Sequence, residues 1–192
     1  GDGVRLPEDA TGLALWVHSG TVDPRASLVA RLQDAQGHYF DTLVGQLDFK
    51  EWQRLEAPLS PLPNRGLALS VGPTGRATDD GFPTGFYRAV QPPFNLLSLR
   101  VASRRPLAQE PGAIFLEGLA AITPAGETTL DDSQTLDGWH IVEDYSAPGL
   151  FALESSTSVA RTGTSGSAAF SWAPGGIGLR SIRAGEPETP IP

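Results

Sequence analysis

The chain has no cysteine, no methionine and a single lysine, Lys50, among its 192 residues. Without cysteine there is no disulfide and no thiolate metal site, and redox compartment is left open. Its only histidines are His18, His38 and His140, none at a ligand spacing such as H-x-x-x-H. There is no G-x-S-x-G elbow to activate a serine, and the glycines of "RTGTSGS" lack the G-K-[ST] of a phosphate-cradling loop. No apolar run approaches the roughly 20 residues of a membrane helix. Positive charge is scarce as well, since 22 acidic against 14 basic residues give a formal charge of −8. A chain of that sign has no basic stripe with which to displace counterions from nucleic acid or anionic lipid. These absences point to a protein that is not an enzyme and works without a cofactor.

What is present is period two. In "GLALWVHS" Leu13, Leu15 and Val17 share one face, and Ala14, Trp16 and His18 the other. In "SLVARLQ" Leu28, Ala30 and Leu32 face in, with Val29, Arg31 and Gln33 out. "LLSLRVAS" sets Leu97, Leu99 and Val101 against Ser98 and Arg100, and "AIFLEG" sets Ile114 and Leu116 against Phe115 and Glu117. Short alternating windows bounded by Gly, Pro and Asp predict half-buried antiparallel strands. With 22 Gly and 17 Pro spread between them, and no twelve-residue window of helical period, the chain reads as an all-β, antiparallel β-sandwich.

Two stretches break the pattern. Residues 71–95, "VGPTGRATDDGFPTGFYRAVQPPFN", are too long for an ordinary loop and read as a functional excursion or an insertion. Residues 123–140 are polar and apolar-poor, which predicts a linker or long crossover. Residues 1–125 then carry the main strands, and 126–192 hold the crossover, the strands that complete the sandwich or open a second one, and a proline-rich exit, "GEPETPIP". The opening "GDGVRLP", without an initiating Met or a signal peptide, reads as the start of a fragment cut from a longer protein.

The strands "LALWV" (13–17), "LVARLQDAQG" (28–37), "WQRLEAPL" (52–59) and "GAIFLEGL" (112–119) resemble, in order and pattern, the galactose-binding-like jelly rolls that include many carbohydrate-binding modules. "DGWHIVED" and "ARTGTSGSAAFSW" resemble the opening strands of such rolls but come after the closing strand, so the resemblance implies a permuted roll or a second one cut short. The same features resemble the extracytoplasmic domain of large bacterial ABC-transporter permeases. That resemblance implies a non-catalytic domain outside the membrane, part of a membrane-anchored parent chain, acting through contact with envelope proteins or glycans and not with nucleic acid. The alternative it leaves is a carbohydrate-binding module of a secreted glycan-active enzyme.

A sugar-binding face needs an exposed aromatic ring with polar neighbours. Trp16, opposite the Leu13/Leu15/Val17 stripe, and Phe82, Phe86 and Tyr87 of "FPTGFY" are the candidates for ligand or partner contact. Trp52, at a fixed position of the resembled pattern, is expected in the core. The resemblance also implies a structural Ca²⁺, for which hard oxygen ligands are needed; Glu117, Asp131 and Asp132 are the acidic candidates.

Overall fold

Strands that alternate apolar and polar residues bury one face only if a second sheet covers it, and that is the arrangement found. The computed structural model describes residues 3–20, 23–60, 90–103, 111–133, 136–142, 151–173 and 180–184. Among these there is no helix, and the strands in chain order are β1 (Val4–Arg5), β2 (Gly12–Ser19), β3 (Asp23–Gln33), β4 (Tyr39–Leu47), β5 (Gln53–Pro58), β6 (Asn95–Ser103), β7 (Gly112–Thr123), β8 (Gly126–Asp131), β9 (Trp139–Val142), β10 (Phe151–Ser156), β11 (Ser167–Trp172) and β12 (Arg180–Ala184). Sheet I runs β4-β3-β6-β12-β9, with β1 against β6; sheet II runs β10-β11-β7-β2-β5, with β8 against β7. Every pairing is antiparallel. The chain is an antiparallel β-sandwich, and β9 to β12 are strands of the same two sheets as β2 to β7.

The inward stripes are those the alternation predicts. Leu13, Leu15 and Val17 of β2 meet Leu28, Ala30 and Leu32 of β3 in one core, closed by Leu99 and Val101 of β6, Ile114 and Leu116 of β7 and Phe170 of β11. Each of these side chains larger than alanine contributes on the order of 1.5–3 kcal/mol by leaving water. Leu97 departs from its predicted place. Leu32 pairs with Leu96 and Arg31 with Ser98, so β6 carries one residue more than β3 at that point. Leu96 takes the core position instead, fully buried, and Leu97 stays half-buried.

Residues 123–140 are not a crossover throughout. Thr123 and Gly126 turn the chain back, and β8 lies antiparallel along the end of β7. Residues 126–129 of β8 are exposed on both faces, so no apolar alternation was required of them and none appears. The connection closes with Thr123 Oγ1 donating to the Gly126 carbonyl at 2.9 Å and with Gly126 at φ 129°.

β7 is the strand on which sheet II depends. It pairs with β2 along its length, with β11 through residues 112–116 and with β8 through 119–123. Leu116 and Leu119 are both in the core although three residues apart, a spacing that puts side chains on opposite faces of a regular strand. Gly118, at φ 61°, is the extra residue that resets the alternation: Ala14 pairs with Ala120 but Trp16 with Glu117. A Cβ at Gly118 would meet only Trp16 Cδ1, at 3.8 Å, so conformation and not space reserves the position for glycine.

The two sheets approach at the β4–β5 edge, where buried Thr42 donates from Oγ1 to the Pro58 carbonyl at 2.8 Å. On the outer face of sheet I, Arg31 and Arg100 converge on Asp41. Arg31 donates Nε to Oδ1 at 2.9 Å and Nη2 to Oδ2 at 3.3 Å, and Arg100 donates Nη2 to the same Oδ2. The β3–β4 hairpin turns on Asp34, whose Oδ1 accepts the amides of Gln36 at 2.9 Å and His38 at 2.8 Å. Burial pushes the Asp34 carboxyl up, but the amides of His38 and Gln36, the His38 ring and the Gln91 amide outweigh it. The net result lies below the ordinary 3.8.

Two measurements test this framework. Gly118→Ala should cost about 1–2 kcal/mol, the usual penalty for an L-residue in the left-handed region, read as a lower urea midpoint at unchanged slope. A midpoint at or above wild type would show that the bulge does not constrain β7. For Asp34, a folded-state value below the unfolded one means stability that is complete above the unfolded value and is lost as pH falls through the folded one. Wild type should therefore lose stability from about pH 5 downward more steeply than Asp34→Asn; parallel profiles would contradict this.

Candidate binding face on sheet II

The residues that alternate with the sheet II core project from its outer side, and strand register arranges them in rows across the strands. His18 on β2 pairs with Phe115 on β7, Phe115 with Ala169 on β11, and Ala169 with Glu154 on β10. Trp52, just before β5, completes that row from the other side. The His18 ring lies 5.6 Å from Trp52, tilted 58°, and 5.6 Å from Phe115, edge-on at 78°. The result is a continuous aromatic row, Trp52–His18–Phe115, in which all three residues are half-buried. Trp52 is therefore not the core residue that the sequence pattern led one to expect: it lies outside the strand proper, and its ring packs on the outward His18. His18 is more than a bystander too, since its ring bridges the other two. Its Nδ1 is buried and has no hydrogen-bond partner among the described residues.

The neighbouring row is Arg54–Trp16–Glu117, paired through β5, β2 and β7. Trp16 faces outward and is half-buried. It is not bare: the Arg161 guanidinium sits over its ring at 4.7 Å from the centroid, an arrangement of about 0.5–2 kcal/mol. Glu117 is almost fully buried, at 2% exposure. Its Oε2 accepts the Arg161 amide at 3.4 Å and lies 3.8 Å from the Arg161 Nε. Arg161 can serve as counter-charge from the β10–β11 connection because that connection is held in place. Ser167 Oγ donates to the Val159 carbonyl at 2.6 Å, and Thr164 donates from both Oγ1 and its amide to the Arg161 carbonyl, at 2.7 and 3.0 Å.

Beyond Trp16 the floor becomes small. Ala14 pairs with Glu56 and with Ala120, and both alanines are buried. Over them Arg54 ion-pairs with Glu56 beside it on β5 and with Glu127 on β8, on the far side of β2 and β7. The ends are half-exposed, so the bridge contributes little to stability. Its effect is to fix the Arg54 guanidinium over the alanine floor, on the far side of Trp16 from the aromatic row.

The acidic candidates for calcium are used differently. Glu117 faces the Arg161 guanidinium. Asp131 accepts Trp139 Nε1 at 2.6 Å on one oxygen and the Ser133 amide on the other, which caps the end of β8 and anchors β9. Asp132 beside it is exposed. Among the described residues no three acidic or histidine side chains group as a cation site. Phe82, Phe86 and Tyr87 lie outside the described residues. Among the described residues Trp16 is the candidate aromatic on this face, and Trp52, His18, Phe115 and Arg161 join it. Alternation already put His18 with Trp16 and Phe115 with Glu117; the missing information was that β5, β2 and β7 are neighbours.

No protein-family model, curated protein or solved structure matches the chain.

The Glu117–Arg161 pair makes an asymmetric prediction. Arg161→Ala leaves a buried carboxylate with only an amide partner and should cost about 1–3 kcal/mol. Glu117→Gln leaves a partly solvated guanidinium and should cost less. Chemical denaturation of both variants decides it; equal costs would mean that burial of Glu117 is not what Arg161 compensates.

Proposed function

We propose that this domain is a non-catalytic binding module whose outer sheet II face takes a glycan, outside the cytoplasm. The observation that carries the reading is the row Trp52–His18–Phe115, half-buried rings in line from the start of β5 across β2 to β7, with the Arg161 guanidinium and the Glu117 carboxylate in the neighbouring row. Sugar rings have an apolar face that stacks on aromatic rings and an equatorial rim of hydroxyls that need fixed polar partners. With strands about 4.8 Å apart, β5 to β7 spans about 10 Å, room for two linked sugar rings. The Arg161–Trp16 stack gives the row a wall on one side, and the small residues Ala113 and Ser171 pair in the next row on the other.

The resemblance to permease domains assigns the same chain a different occupation, contact with an envelope protein. A glycan is preferred because the aromatic rings are spaced along a line with polar groups beside them, rather than gathered in one apolar patch ringed by charge.

Titration of intrinsic fluorescence with neutral oligosaccharides, under iodide quenching, tests the proposal. A binding sugar should shield the exposed tryptophan signal, and Trp52→Ala should weaken binding about tenfold, as expected for one lost stacking contact of roughly 1–1.5 kcal/mol. Tryptophans that ignore every sugar would overturn the glycan reading and leave the protein-contact one.

A further inference from the structure

Resting on that reading, we infer that the face selects uncharged glycans and excludes those bearing carboxylate or sulfate. The guanidinium groups of this face, Arg161 over Trp16 and Arg54 beyond it, are the obvious hands for an acidic sugar, but neither has charge to spare. Arg161 is matched by the buried Glu117, and Arg54 is held by two carboxylates, Glu56 and Glu127. Glu154 stands exposed at the far end of the aromatic row. Among the described residues the face therefore sets these two guanidinium groups against four carboxylates, in a chain whose formal charge is already −8.

An anionic ligand would have to displace a glutamate from its arginine or lie in a net negative field. A hydroxyl has no such difficulty, because it accepts from guanidinium N–H groups not used by the glutamates and donates to the carboxylate oxygens between them. Arginine has five donors, and Arg54 gives one nitrogen to each glutamate, which leaves donors in a fixed plane. Glu56, Glu127 and Glu117 are thus specificity elements: they hold the arginines as hydrogen-bond donors while cancelling them as charges.

The test uses the intact domain and polymers differing only in charge: neutral β-glucan, xyloglucan and galactomannan, each beside a preparation with part of its primary alcohols oxidised to carboxylates. Affinity electrophoresis at low salt should show retardation by at least one neutral polymer and at least a tenfold weaker effect of its oxidised form. The gap should shrink as salt screens the field. Glu154→Lys, at an exposed position away from the ion pairs, should narrow the gap. Equal or tighter binding of the oxidised form would overturn the inference while sparing the glycan reading, and so would a gap indifferent to Glu154→Lys. Binding of no polymer, neutral or oxidised, would remove the glycan reading itself.

Discussion

A β-strand has only two faces, so any strand that must serve a hydrophobic core along its whole length while changing partners has to keep the parity of its side chains. β7 meets that demand over twelve residues, with β2 on one side and β11 then β8 on the other. Parity fails once, between Leu116 and Leu119, and Gly118 absorbs the extra residue in a left-handed conformation. If residue 118 continued the strand regularly, either Leu119 and Ala121 would turn to solvent or Ile114 and Leu116 would. The bulge also decides which residues of β7 face out, and hence that Glu117 stands beside Trp16. The core and the outer face are therefore fixed by the same backbone feature.

Placing Glu117 there creates a second requirement. A carboxylate at 2% exposure on a sheet face loses most of its hydration, and it is tolerable only with donors in place. Arg161 supplies an amide and a guanidinium, and Trp16 supplies a π-face under the cation. Sheet I solves the converse problem: Arg31 and Arg100, each 6% exposed, share Asp41. In both sheets a buried charge on the outer face ties neighbouring strands, or a strand and a connection, in one geometry. Such pairs add less to stability than their Coulomb attraction suggests, yet removing one partner leaves the other stranded. Their value here is positional.

How much of this could be read from the residues follows from the physics of alternation. β2, β3 and β7 each bury one clear stripe, so Leu13/Leu15/Val17, Leu28/Ala30/Leu32 and Ile114/Leu116 declared a shared face, whereas alternation set Trp16 opposite its stripe without deciding whether that second face was covered. β8 was illegible because exposed residues cover most of it and no stripe was needed. Leu97 was misplaced because a bulge in a strand without glycine leaves no mark in the sequence. Trp52 was assigned to the core on pattern, yet it precedes β5 and its neighbour is an outward histidine. The site is a property of register between three strands that are far apart in the chain, and period two says nothing about which strands are neighbours.

The two tryptophans of the outer face differ in what they can offer a ligand, and the difference lies in what already covers them. Trp16 has a guanidinium on its ring, tethered to a buried carboxylate, so a ligand stacking there must break a cation–π contact and expose Glu117. Among the described residues Trp52 carries no such cation: its ring packs on His18 at 5.6 Å, tilted 58°. For the proposed ligand, competition alone would favour the Trp52 end of the face. Trp16 and Arg161 would then bound the site, held by three separate interactions. On the proposed reading such a face would discriminate through its wall as much as through its stacking surface, since the row would set where a ring can lie and the compensated arginines which substituents it can carry.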